Sequence, residues 1–156
     1  MKPSIGITEK NLQKISSLLS VVLADEMILY NKTRKFHWNV SGESFMELHK
    51  LFQVQYTELE EIIDEAAERI NKLGANTIGT LKEYLSHTRL KESPGKYPSQ
   101  NDMIKELLSD HETVIRALRK DIDAIAETYK DAGTADFLTG VMEQHETIAW
   151  VLRRYF

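Results

Sequence analysis

The chain has 156 residues, a formal net charge of −4, 42% hydrophobic and 28% charged residues, and no cysteine. That composition suits one folded domain spanning 1–156 and argues against disorder. It excludes disulfides, thiolate metal sites and a cysteine nucleophile, and it gives no general attraction to nucleic acid or anionic lipid.

Glycine and proline cluster at a few points, and the stretches between them carry helical periodicity. The first helix is predicted from about Thr8 to about Asn39, with Leu12, Ile15, Leu19, Val22, Leu23 and Met27 on one face. Its apolar run 15–24 ends in Val22-Leu23-Ala24, as a secretory cleavage site does, but the pattern continues unbroken through Met27, Ile28 and Tyr30 and reads as helix core. No apolar run approaches the ~20 residues a membrane span needs. The second helix is predicted from Ser44 to about Leu73. Ser44 and Glu47 have capping-box spacing, and Gly74 offers a left-handed stop. A connection of about 27 residues follows, in which Thr80 and Glu83 repeat the capping-box spacing and mark a short helix. The third helix is predicted from about Asn101 to Lys130 and the fourth from about Thr134 to Tyr155. Nothing reads as a strand. A long crossover between the second and third helices fits an all-α, ferritin-like four-helix bundle.

Two pairs of residues carry possible metal chemistry. His37 and His49 flank the Ser-Gly break, and Asp64 and Glu68 lie four apart on one face of the second helix. Two imidazoles and two carboxylates suit a borderline divalent metal such as iron, zinc or manganese. His49 and Asp64 are fifteen residues apart on one helix, so their backbones lie ~22 Å apart. Two side chains and two metal bonds span at most about 14 Å. The four residues therefore cannot share an ion within one chain. If they share one, the histidines come from one subunit and the acids from another, and a two-fold axis gives two such sites. His111 and His145 show no converging ligand set, and none of the chain's helical histidines has the Glu-x-x-His spacing of an intrasubunit di-iron centre.

The run His37-Trp38-Asn39, His49 twelve residues later, and the segment "DEAAER" with Asp64 and Glu68 resemble the Dps proteins, the mini-ferritins that protect bacterial DNA during starvation. The resemblance covers nearly the whole chain, including the short crossover helix and the stretch from "TADFLT" to Trp150. It implies a hollow dodecamer in the bacterial cytoplasm, nucleoid-associated in some members. Its activity would be that of a ferroxidase, oxidising Fe(II), preferably with hydrogen peroxide, and storing ferric mineral. It also implies non-haem iron at a dimer interface, held by His37, His49, Asp64 and Glu68, and entry pores lined by acids near the last helix, here Asp131 and Asp136. The family often has an acid four residues after the second histidine; this chain has Gln53. The iron position at His49, Asp64 and Glu68 is expected to be the tighter and that at His37 the weaker, and Arg34 is within reach of Gln53. Trp38 is expected to pack beside the site. Lys2 and Lys10 are the only lysines at the start, so DNA binding is expected to be weak and salt-sensitive. A non-catalytic, DNA-condensing or structural particle of the same fold is the alternative. Gly140, inside the last helix, is expected to permit a close helix approach.

Overall fold

The computed structural model describes residues 3–156. It contains α1 (Glu9–Asn39), α2 (Phe45–Lys72), α3 (Leu81–His87), α4 (Gln100–Asp123) and α5 (Ala132–Arg153), and no strand among the described residues.

α1 begins where the Thr8 hydroxyl accepts from the Asn11 amide at 3.3 Å, satisfying one orphan donor of the first turn. Its predicted face is buried at Leu12, Ile15, Leu19, Val22 and Leu23. The run that mimics a secretory signal is thus core, where each fully buried Leu or Ile contributes about 1.5–3 kcal/mol. Gly42, with φ +118°, turns the chain into α2; a Cβ there would lie 2.9 Å from the Gln100 side chain.

Ser44 precedes α2 but makes no side-chain cap, contrary to its spacing with Glu47. Glu47 instead accepts a hydrogen bond from the Tyr155 hydroxyl, so a partner from the far end of the chain displaces the local box. α2 ends at Gly74 in the left-handed region, φ +84°, as expected. The Thr80–Glu83 box at the start of α3 is fully formed, with both reciprocal bonds present.

The third predicted helix is not uniform. α4 widens after Asp123 into a π-helical turn, Ala124–Thr128, and leaves the helix through Lys130 at φ 58°. α5 then starts at Ala132, two residues before the predicted Thr134, because Asp131 caps it by accepting from the Thr134 amide at 3.0 Å.

Side-chain pairs fix the topology. Tyr30–Tyr56 and His37–His49 set α1 antiparallel to α2. Arg119–Glu146 and Arg153–Glu112 set α4 antiparallel to α5. Lys32 meets Asp110, while Arg89 of the crossover bridges Asp25 and Asp121, so α1 and α4 are also antiparallel. α2 and α4 therefore run parallel, which only a crossover spanning the bundle permits.

Candidate metal centre

The α1–α2 turn brings His37 and His49 together. Their rings stack with centroids 3.8 Å apart and planes 19° apart. His37 Nδ1 lies 2.7 Å from the His49 carbonyl oxygen, and His49 Nδ1 lies 2.9 Å from the His37 carbonyl oxygen. A carbonyl only accepts, so both Nδ1 atoms carry the hydrogen. That leaves Nε2 of each ring as the atom with which a neutral imidazole would meet a metal, and each ring is oriented by the other's backbone.

Tyr56 meets His37 edge-on at 5.3 Å, and Phe45 lies 5.3 Å from the His49 ring. Arg34, placed within reach of Gln53 by its spacing, turns to the neighbouring aromatic rings instead. Its Nη1 donates to the Tyr30 hydroxyl at 2.6 Å, and its guanidinium lies 5.1–5.4 Å from the ring centroids of Tyr30, Trp38 and Tyr56. Trp38, expected to pack, is 64% exposed within the chain and meets the Arg34 guanidinium. Gln53 is also exposed, one turn beyond His49.

Asp64 and Glu68 are exposed on α2. Glu68 pairs with Lys72 at 3.1 Å, an exposed contact of little energy. The acidic character of the segment is felt at Glu58, whose carboxyl is pushed up by partial burial and by the neighbouring Glu61 charge. Among the described residues no three of His, Asp and Glu converge where an ion could sit. The histidine pair and the acidic pair stay apart within one chain.

A ferritin-like domain model matches residues 16–156. DNA protection during starvation protein 2 of Bacillus anthracis is 34% identical over 92% of this chain and 97% of its own length. The chain belongs to the Dps family. An uncharacterized low temperature-induced protein of Nostoc is 45% identical over 97% of this Dps chain and 85% of that protein. The crystal structure of a Dps protein from Vibrio cholerae O1, described as a member of a broad superfamily of ferritin-like diiron-carboxylate proteins, superposes with a TM-score of 0.91 at 28% identity. That match covers 99% of this chain and 96% of the other.

The two acids near the last helix of this Dps chain differ sharply. Asp131 is buried: it caps α5, accepts from the Thr134 hydroxyl, and pairs with Arg69 at 3.3 Å. Gly133 leaves room for that guanidinium, since a Cβ would lie 2.9 Å from Arg69 Nη2. Asp136 is exposed. At Gly140 a Cβ would meet nothing within 4 Å, so no close helix approach occurs there within the chain.

Sequence reasoning missed one constellation. His111 and His145 lie 34 residues apart in the chain but 2.8 Å apart through their Nδ1 atoms, with Glu26 beyond. The available signal was a histidine on the apolar face of each helix, with an acid among the apolar residues of α1. Lys10 is exposed at the start of α1, and Lys2 lies outside the described residues. No helix among the described residues is long and apolar enough to cross a membrane.

Proposed function

We propose that the protein stores iron and protects DNA, as its family membership supports, by oxidising Fe(II) at sites shared between two copies of the chain. The observation that carries this reading is the reciprocal histidine pair, whose Nδ1 contacts leave both Nε2 atoms for a ligand, while no three of His, Asp and Glu among the described residues of one chain converge there. His37 and His49 of one subunit, with Asp64 and Glu68 of the other, supply two neutral and two anionic donors, a set suited to Fe(II). As substrates, two Fe(II) ions each give one electron to hydrogen peroxide, which with two protons leaves as two waters. The side chains position the ions and hold their charge. Gln53 contributes no charge, so the position nearer His37 binds its ion less tightly than that formed by His49, Asp64 and Glu68. Exposed Asp136, rather than the engaged Asp131, is the better candidate to draw cations toward a pore of a dodecameric shell in the cytoplasm. DNA contact, where it occurs, is weak and multivalent.

Peroxide-driven Fe(II) oxidation, followed by size-exclusion with iron detection, tests this. The wild-type shell is expected to carry iron. Asp64→Ala with Glu68→Ala is expected to keep assembly and lose oxidation by at least an order of magnitude, since losing even an outer-shell partner of a metal site costs about 10–100-fold. Unchanged oxidation in that variant rules these residues out as the site. A wild-type shell that leaves iron in the buffer favours the non-catalytic particle, with Gln53 as the cause.

A further inference from the structure

The bundle interior holds a group of ionisable side chains that the intersubunit site does not use. Glu26 of α1, His111 of α4 and His145 of α5 are each 0% exposed. His145 Nε2 lies 3.0 Å from Glu26 Oε1, and His145 Nδ1 lies 2.8 Å from His111 Nδ1. The two ends of this row, Glu26 Oε2 and His111 Nε2, have no partner among the described residues. The buried polar residue that α2 contributes is the neutral Gln55. Neighbouring charges are committed elsewhere. Asp25 accepts from Thr88 and Arg89, and Asp110 is held by Lys32. Glu112 pairs with Arg153 and Glu146 with Arg119.

The geometry limits how many protons the row can hold. Each of the two contacts needs one hydrogen. The Nδ1···Nδ1 contact admits a single one, because two N–H groups cannot face each other at that separation. With one proton in each contact and Glu26 ionised, the row carries one negative charge. A third proton at the outer His111 Nε2, with the shared hydrogen passing from His111 Nδ1 to His145 Nδ1, makes it neutral. Glu26 is then a carboxylate beside a doubly protonated His145, and His111 is the neutral Nε2–H tautomer. Full burial of all three side chains favours that neutral sum. A fourth proton has no place. On His111 Nδ1 it would face the His145 N–H, and on Glu26 it would strip the His145 cation of its counter-charge.

We propose that Glu26, His145 and His111 form a buried proton lock, which keeps one of the two imidazoles neutral for as long as the bundle is closed and so ties closure to pH. Burial and the adjacent His145 charge hold His111 well below the ordinary imidazole range. In the unfolded chain both imidazoles charge near pH 6.5. From about one unit below that pH the unfolded state therefore binds close to one proton more than the folded state from this group, and folding weakens as pH falls further. The unfolding equilibrium constant gains a factor of about ten per pH unit.

Urea unfolding at fixed protein concentration, between about pH 5 and pH 6.5, reads this slope. In His111→Gln the amide oxygen still accepts from His145 but cannot be protonated. Its unfolding constant is expected to rise about tenfold less per pH unit than the wild type's. Equal slopes overturn the proposal. Should His111→Gln fail to fold, solid-state NMR of the assembled wild type, with 15N-labelled histidine, decides. The coupled pair, identified by correlation between its Nδ1 atoms, is expected to show one doubly protonated and one singly protonated ring at about pH 5.5, below the free imidazole value. Two doubly protonated rings, or none, overturn it.

Discussion

Gly140 shows how a single residue's meaning depends on what surrounds it. In a helix interior glycine costs about 1 kcal/mol relative to alanine, and such a cost often marks a tight contact. Here the space is open. Gly140→Ala is expected to raise the subunit's Tm by about 2–4 °C in a calorimetric scan; an unchanged or lower Tm would mean that something outside the chain occupies that space. Gly133, seven residues earlier, is the opposite case, because the Arg69 guanidinium fills the Cβ position. Both glycines look alike in sequence. The histidines divide in the same way. His37 and His49 sit twelve residues apart around a turn, so their meeting is legible from spacing alone. The row of Glu26, His145 and His111 joins residues separated by 119 and 34 positions. Only the packing of α1, α4 and α5 brings it together.

At the scale of elements, periodicity and turn residues located the helices to within a few residues, because an apolar stripe must face a core wherever the helix lies. The ends were less legible. The Thr80–Glu83 box forms, while the identically spaced Ser44–Glu47 box loses Glu47 to Tyr155. No local pattern reveals a competitor 108 residues away. This contact fastens the end of α5 to the start of α2 and has a pH signature. Burial and the Glu47 hydrogen bond push the Tyr155 hydroxyl up to about 12. The folded value is raised above the ordinary tyrosine value near 10. The contact's contribution is therefore complete below about pH 10 and fades as pH climbs through about 12. Ultraviolet titration of wild type against Tyr155→Phe should show this phenolate forming last. In Glu47→Gln its titration should move back toward the ordinary value. A Tyr155 that titrates near 10 in the wild type would remove the contact from solution.

On the scale of the whole molecule, one chain closes its own core but leaves large apolar side chains outside, among them Trp38, Met46, Val54, Leu81 and Leu85. Leu85 is 53% exposed on α3, a helix packed against α1. Leu85→Glu is expected to lower the assembled mass while leaving helical circular dichroism intact, and to abolish Fe(II) oxidation with it. Full oxidation by a dissociated subunit would contradict a shared site. The sequence could not show this surface, because an exposed leucine and a buried one look the same until the helices are in place.

If the site is shared between subunits as proposed, the length of α2 that separates His49 from Asp64 has a genetic consequence. A chain stripped of His37 and His49 still carries its acids, and a chain stripped of Asp64 and Glu68 still carries its histidines. Each should be inactive alone. Mixed in one pair, they rebuild one intact site and one doubly empty site. Random co-assembly makes half the pairs mixed, so about one quarter of the wild-type sites should return. Two dead alleles expressed together would then complement each other, as no pair of defects confined to a site within one subunit can.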